Sequence, residues 1–206
     1  MPKASGYDST PNATAHSLLD VARWRPRVKG MQRREPKATK KDVEAKVGFY
    51  YREMLTGVAQ TLKNLKKYYP AYDGKGYEVV GFGWHQGWND GGNMDNVNAY
   101  EENLANLIKD IRKEWATPNL PIVIGVSGFG GRKQSTDRRL GIIAAQHAVA
   151  KRKEFKGTVA SVETRDFFRP AEESPSRQGY HWNSNAETYY LIGEGMGKAM
   201  VKLLQK

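Results

Sequence analysis

The sequence predicts an α/β protein, a parallel sheet covered by helices on both faces. Three observations carry this. From about Lys41 onward, short apolar runs alternate regularly with amphipathic stretches of helical period. The run Pro121-Ile-Val-Ile-Gly-Val is apolar without alternation, the pattern of a strand buried on both faces. Polar, glycine-rich clusters stand directly after the apolar runs, at 84–90 and 127–131, where an open α/β sheet binds its ligands.

Each element follows from a local pattern. Residues 42–69 form the first expected helix, with Val43, Val47, Tyr50, Tyr51, Met54, Leu55, Val58, Leu62, Leu65 and Tyr69 at three- to four-residue spacing. Pro70 and Gly74 to Gly76 end it. A strand over 77–84 follows, with Val79, Val80 and Phe82 as buried positions. Residues 96–116 place Val97, Tyr100, Leu104, Leu107, Ile108, Ile111 and Trp115 on one helical face, and Pro118 and Pro121 bracket the stop. The strand 121–126, a helix near 137–154, a strand near 157–164 and a last helix near 185–205 complete the series. Asn183 or Ser184 is the expected N-cap of the last helix, with Glu187 completing a capping box with Ser184.

Composition narrows the possibilities. A chain of 206 residues suits one domain with a substantial core. With no cysteine, disulfides, zinc–thiolate sites and cysteine nucleophiles are excluded. No apolar stretch approaches the roughly 18 residues that span a bilayer, so no membrane partner is expected. The first residues lack the apolar core of a secretion signal. As written the chain is therefore expected in the cytoplasm, and outside it if the true amino end is missing. The net charge of +11 is uneven: residues 1–41 hold ten Lys or Arg against three acids, with four prolines. They read as a poorly ordered basic extension, and residues 42–206 as the α/β domain. A basic arm attracts polyanions. It lacks the interleaved aromatics of a single-strand binder and any nucleic-acid motif, so nucleic acid is not an expected partner.

Two clusters carry candidate chemistry. Trp84, His85, Gln86, Trp88, Asn89 and Asp90 crowd around Gly87, a composition that suits a substrate-binding loop better than a simple turn. Near the carboxyl end His181, flanked by Tyr180 and Trp182, lies between Gly179 and the cap of the last helix, a position suited to a general base. Ser127, after the second strand, is a candidate displaced nucleophile, although Gly125-Val-Ser-Gly does not have the spacing of a nucleophile elbow. The four histidines (His16, His85, His147, His181) show no metal-ligand spacing, and Gly81-Phe-Gly lacks the third glycine of a dinucleotide fingerprint. No metal or cofactor is therefore expected.

Two blocks, in order, resemble a known family. Trp84-His-Gln-Gly-Trp-Asn-Asp is similar to the Trp-x-Gln-Gly-Glu-x-Asp/Asn block of sialate O-acetylesterase-like carbohydrate esterases, members of the SGNH hydrolase superfamily. Gly179-Tyr-His-Trp-Asn-Ser-Asn-Ala-Glu and the helix after it resemble the block that carries their catalytic histidine. The resemblance, over about 42–206, implies a three-layer α/β/α flavodoxin-like fold and a serine that attacks an acetyl ester on a sugar. It implies that His181 is the base and that Gln86 and Gly87 line the oxyanion site, with Asp90 matching the end of the block. The family's nucleophile block is absent: Ser5, Ser9 and Ser17 have no apolar strand before them. Gln178 stands where an Asp usually precedes the histidine, and Trp88 where Glu is common. Asp166, Glu172, Glu173 and Glu187 are the acids available to orient His181. An amino-terminally truncated or frame-disrupted product, lacking its first strand and helix, is the expectation, with oligomerisation as one way to cover the exposed sheet edge.

Three functions are therefore expected of such a chain: an O-acetyl ester hydrolase acting on acetylated carbohydrate, a catalytically inactive carbohydrate-binding relative using Trp84, Trp88, Tyr180 and Trp182, or a basic interaction protein.

Overall fold

The computed structural model describes Thr39 and residues 48–205. The basic extension 1–41, Thr39 apart, and with it Ser5, Ser9, Ser17 and His16, lies outside the described residues. The chain divides into two compact units, Met1–Glu78 and Val79–Lys206.

In the first unit the single helix expected over 42–69 is two: α1 (Phe49–Lys63) and α2 (Leu65–Tyr68). The break has a local cause. Asn64 Nδ2 donates to the Gln60 carbonyl at 2.7 Å, offering the backbone a competitor to the helical ladder. After α2, Lys66 Nζ donates to the carbonyls of Pro70 and Tyr72, closing the turn that Pro70 begins.

The second unit runs β1 (Phe82–Trp84), α3 (Met94–Glu114), β2 (Ile122–Gly125), α4 (Asp137–Lys151), β3 (Val159–Val162) and α5 (Ala186–Leu204). The strands form a parallel sheet in the order β1-β2-β3, with Phe82 opposite Ile122 and Ile124 opposite Ser161. Two successive crossovers in one direction and of one hand place α3 and α4 on the same face. The helix α5 takes the other, against β2 and β3. This is the parallel α/β organisation that the sequence predicts.

The core lies around the central strand. Ile122, Val123, Ile124 and Val126 are fully buried, and Leu104, Ile108 and Ile111 of α3 and Ile142 and Val149 of α4 are buried as well. Each such aliphatic side chain contributes roughly 1.5–3 kcal/mol by leaving water. Strand β1 departs from expectation: it spans three residues, and Val80 before it is 51% exposed. Among the described residues β1 pairs only with β2, so it is an edge strand rather than a fully buried one.

The period of two along β1 and its continuation sorts side chains between the two helix layers. Gly83 and Gly125 face α5, where an added Cβ would meet Met196. Phe82 and Trp84 face the other way, Phe82 against Trp115 and Trp84 donating from Nε1 to the Tyr100 hydroxyl. At the amino end of the sheet, buried Arg112 of α3 donates to the Leu120 carbonyl and to Thr158 Oγ1, joining the approaches to β2 and β3.

The last helix begins differently from expectation. Its N-cap is Asn185, whose Oδ1 accepts from the Thr188 N–H at 3.0 Å. Ser184 instead has φ +57°, its hydroxyl meets Ser176, and Glu187 is paired with Arg169. No capping box forms because the strained turn before the helix carries Ser184 away from the Glu187 backbone.

Beyond β2 the chain passes close to β3. A Cβ at Gly128 would lie 2.7 Å from the Arg165 nitrogen and 2.9 Å from the Thr164 carbonyl carbon, both backbone atoms that cannot swing aside. Gly128→Ala is therefore expected to cost about 1–3 kcal/mol. Urea unfolding should show a lower midpoint at unchanged slope, and an unchanged midpoint would contradict this packing.

Candidate functional site

The carboxyl ends of β1 and β2 open onto two loops, 85–93 and 126–136, and the alternation along β1 continues into the first of them. His85 falls on the α5 side and Gln86 on the side of α3 and α4.

The Gln86 carbonyl is the most heavily coordinated group of the loop. It accepts from Ser127 Oγ at 2.8 Å, from Gln146 Nε2 at 2.7 Å and from the Tyr100 hydroxyl at 3.0 Å. Gln146 is 0% exposed, and its other amide atom, Oε1, accepts from the Ser127 N–H at 2.8 Å. Burial pushes the Tyr100 phenol up to about 12, with the hydrogen bonds from Trp84 and Gln146 opposing, so it stays a donor. The Gln86 side chain is also engaged: Nε2 donates to Asp90 Oδ2 at 2.6 Å, and Oε1 lies 3.1 Å from the Tyr100 hydroxyl, whose single proton it shares with the Gln86 carbonyl.

Gly87 follows, with φ +150°, and a Cβ there would collide with Ser127 Oγ and Ile142. Only glycine fits this approach. Gly87 is buried, and its N–H has no acceptor among the described residues, although its carbonyl accepts from the Gly91 N–H. Buried amide donors without a partner are rare, and this one stands at the end of a strand.

His85 is held in one neutral tautomer. Its Nδ1 lies 2.9 Å from the Gly125 carbonyl, which can only accept, so Nδ1 carries the proton. Its Nε2 accepts from Trp182 Nε1 at 3.2 Å. Burial, with the Gly125 carbonyl opposing, pushes the imidazole below its ordinary value of 6.5. Trp182, 2% exposed, stacks on His85 and packs on Phe129, which meets Trp88 edge-on at 5.2 Å. Arg139 lies over the other part of Trp88, its guanidinium carbon 3.6 Å from the ring centroid, and donates to the Trp88 carbonyl.

His181 sits in a 3₁₀ turn, Gly179–Ser184, followed by three consecutive non-glycine residues with positive φ: Trp182, Asn183 and Ser184. Such a run costs about 1–3 kcal/mol per residue and persists only where the surroundings impose it. Here the Trp182–His85 contact, Asn183 Nδ2 donating to the Arg169 carbonyl and the Tyr189 hydroxyl donating to the His181 carbonyl hold it. The His181 imidazole is exposed, 4.5 Å from the Tyr180 ring, which is in turn 5.5 Å from Trp88. It has no hydrogen-bonding partner among the described residues.

The structure thus brings Gln86, Gly87 and Ser127 together, and links Trp88, Tyr180, His181 and Trp182 through ring contacts. Trp84 lies apart, toward α3. Asn89 is exposed and precedes the short 3₁₀ turn Asp90–Gly92, while Asp90 serves Gln86. Two acids available to His181 are claimed by arginines: Asp166 by Arg132 and Glu187 by Arg169, each through two hydrogen bonds. A serine–imidazole hydrogen bond occurs elsewhere, Ser161 with His147 Nδ1 at 2.9 Å. That serine lies within β3, and the nearby Glu163 is committed to Arg165. Burial alone would raise the Glu163 carboxyl, but the Arg165 guanidinium holds it at about 2.

Sequence reasoning did not single out Tyr100 and Gln146 as parts of the site. Tyr100 reads as one more member of the apolar face of α3. A signal existed for Gln146: with Ile142 four residues before it and Val149 three after, it is a carboxamide on the buried stripe of a helix.

A family model for carbohydrate esterases, the sialic acid-specific acetylesterases, matches residues 15–202. No curated protein and no solved structure matches the chain. Among the described residues no helix is long and apolar enough to cross a membrane.

The neutral tautomer of His85 makes stability pH-dependent with a defined sign. Its folded value is depressed, so as pH falls below 6.5 the unfolded chain takes up the proton first. Stability from this group is full above 6.5 and is lost toward the lower folded value, by at most about 1.4 kcal/mol per pH unit. In urea unfolding at pH 7.5, 6.5 and 5.5, the advantage of wild type over His85→Gln should be constant between the first two and shrink at the third. An advantage that does not change with pH would contradict the assignment.

Proposed function

Because the chain belongs to the sialic acid-specific acetylesterase family of carbohydrate esterases, we propose that it hydrolyses O-acetyl esters on sialic acid-type sugars. The observation that carries this reading is the Gly87 N–H at the strand end, which has no acceptor among the described residues, in a loop whose Trp88 is linked through the Tyr180 ring to the exposed His181 imidazole. An acyl oxygen that gains negative charge needs such a fixed donor, and fixed donors are usually the largest single contribution to acyl transfer.

In this reading a serine hydroxyl attacks the acetyl carbonyl, and His181 accepts its proton. The C–O bond to the sugar breaks, His181 returns the proton to the departing sugar oxygen, and water then releases acetate by the same route. Ser127 does not fill this role as placed: it donates its proton to the Gln86 carbonyl and has no imidazole beside it. Tyr180, 43% exposed beside His181, offers an aromatic face to the apolar C–H side of a sugar ring. Arg138 and Arg139 donate to the Gly92 and Trp88 carbonyls and have no carboxylate partner among the described residues, which supports an anionic sugar as substrate.

A second reading is a sugar-binding relative without turnover. The observation that favours it is that no carboxylate orients His181 among the described residues.

Purified protein should release acetate from O-acetylated sialic acid and hydrolyse 4-nitrophenyl acetate, with kcat/KM falling at least about 10²-fold in His181→Ala. Saturable sugar binding with no acetate released by wild type would leave the binding reading standing and remove the hydrolytic one.

A further inference from the structure

We infer that Gln146 is a positioning residue: with Ser127 and Tyr100 it locks the Gln86–Gly87 peptide so that the Gly87 N–H stays aimed at the reacting acyl oxygen. This rests on the proposed ester hydrolysis for its catalytic meaning, but the lock itself rests on geometry.

A trans peptide points its C=O and N–H in opposite directions, and the chain has no cis peptide among its described residues. Fixing the Gln86 carbonyl therefore fixes the Gly87 N–H. All three donors come from the side of β2, α3 and α4, so the N–H is turned away from that layer. The other side carries His85 and Trp182. Glycine makes such a lock necessary, because a peptide next to glycine reorients at little cost.

A carbonyl oxygen has two lone pairs, which Ser127 Oγ and Gln146 Nε2 fill at 2.8 and 2.7 Å, yet the Tyr100 hydroxyl also stands 3.0 Å away, sharing its one proton between this oxygen and Gln86 Oε1. The excess is unneeded for satisfying a backbone group and is suited to immobilising and polarising it. Donors on the carbonyl also strengthen the amide N–H beyond it, by something like 10–30% per bond. Gln146 is the centre of the arrangement. One end of its buried amide donates to Gln86 and the other accepts from Ser127, so a single side chain of α4 sets both loops.

The test uses the full chain. Labelling glutamine carbonyls with ¹³C and glycine nitrogens with ¹⁵N selects the two Gln–Gly pairs, Gln86–Gly87 and Gln178–Gly179. The Gly87 ¹⁵N should lie downfield in wild type because the preceding carbonyl is hydrogen-bonded, and its amide proton should move downfield on titration with acetate, the reaction product. In Gln146→Leu the ¹⁵N should move upfield and the proton should stop responding to acetate. On 4-nitrophenyl acetate Gln146→Leu should lose kcat by about 10²-fold with KM within threefold, the size expected for one misaligned oxyanion donor. Ser127→Ala and Tyr100→Phe should each lose about 3–10-fold by removing one donor of three, and they carry the test if Gln146→Leu does not fold.

Each result decides something. A wild type that hydrolyses no ester, but whose Gly87 amide responds to acetate in a Gln146-dependent way, removes the proposed function and keeps the lock. A Gly87 amide indifferent to acetate, or donor variants that retain kcat within twofold, overturns the lock. Complete loss of activity in Ser127→Ala with the Gly87 amide unmoved also overturns it, by making Ser127 the nucleophile.

Discussion

One backbone carbonyl, that of Gln86, ties the working end of this sheet together. The groups that hold it come from the end of β2, from α3 and from α4, 14 to 60 residues away along the chain. Two of the three donors, Tyr100 and Gln146, are themselves bonded to each other, so the cluster behaves as a unit in a dry environment where each hydrogen bond is stronger than in water. At the opposite end of the sheet Arg112 plays the matching part, a buried polar side chain of α3 joining the approaches to β2 and β3. Between these polar staples the core is aliphatic, and non-directional burial fills the space that the hydrogen bonds define.

The period of two along β1 then divides the loop's chemistry between two faces. Gln86 goes to the helix pair α3 and α4, and its hydrogen-bonding capacity is consumed there. His85 goes to the α5 side, where Trp182 fixes its tautomer and Phe129 carries the packing on to Trp88. The left-handed backbone of Trp182 to Ser184 is what allows Trp182 to point inward while His181, one residue earlier, stays at the surface. Strain and burial are thus two aspects of one arrangement, the cost of the first offset by the second.

Charge is distributed to the same end. Arginines take the carboxylates around the third strand: Arg132 with Asp166, Arg165 with Glu163, Arg169 with Glu187. These pairs are mostly at the surface and contribute little to stability individually. Their effect on the site is to withdraw negative charge from its surroundings, while Arg138 and Arg139 bond only to carbonyls of the Trp88–Gly92 loop.

The sequence by itself determined the parallel α/β class, the order and approximate extent of the strands and helices, the two blocks that identify the family, and the loops that hold them. These depend on period, length and punctuation, which are local properties. Tertiary structure decided the rest. It broke the first helix at Asn64, moved the last cap to Asn185 and left β1 paired only with β2 among the described residues, because competing side-chain bonds and sheet order are invisible to a periodic pattern. It separated Trp84, which bonds Tyr100 of α3, from Trp88 and Trp182, which pack on Phe129, although all three read as one aromatic cleft. It gave Ser127 a carbonyl rather than an imidazole to bond, and recruited Gln146 from the middle of a helix. A hydrogen bond between residues 60 positions apart exists only once the chain has folded, so no window of sequence could contain it.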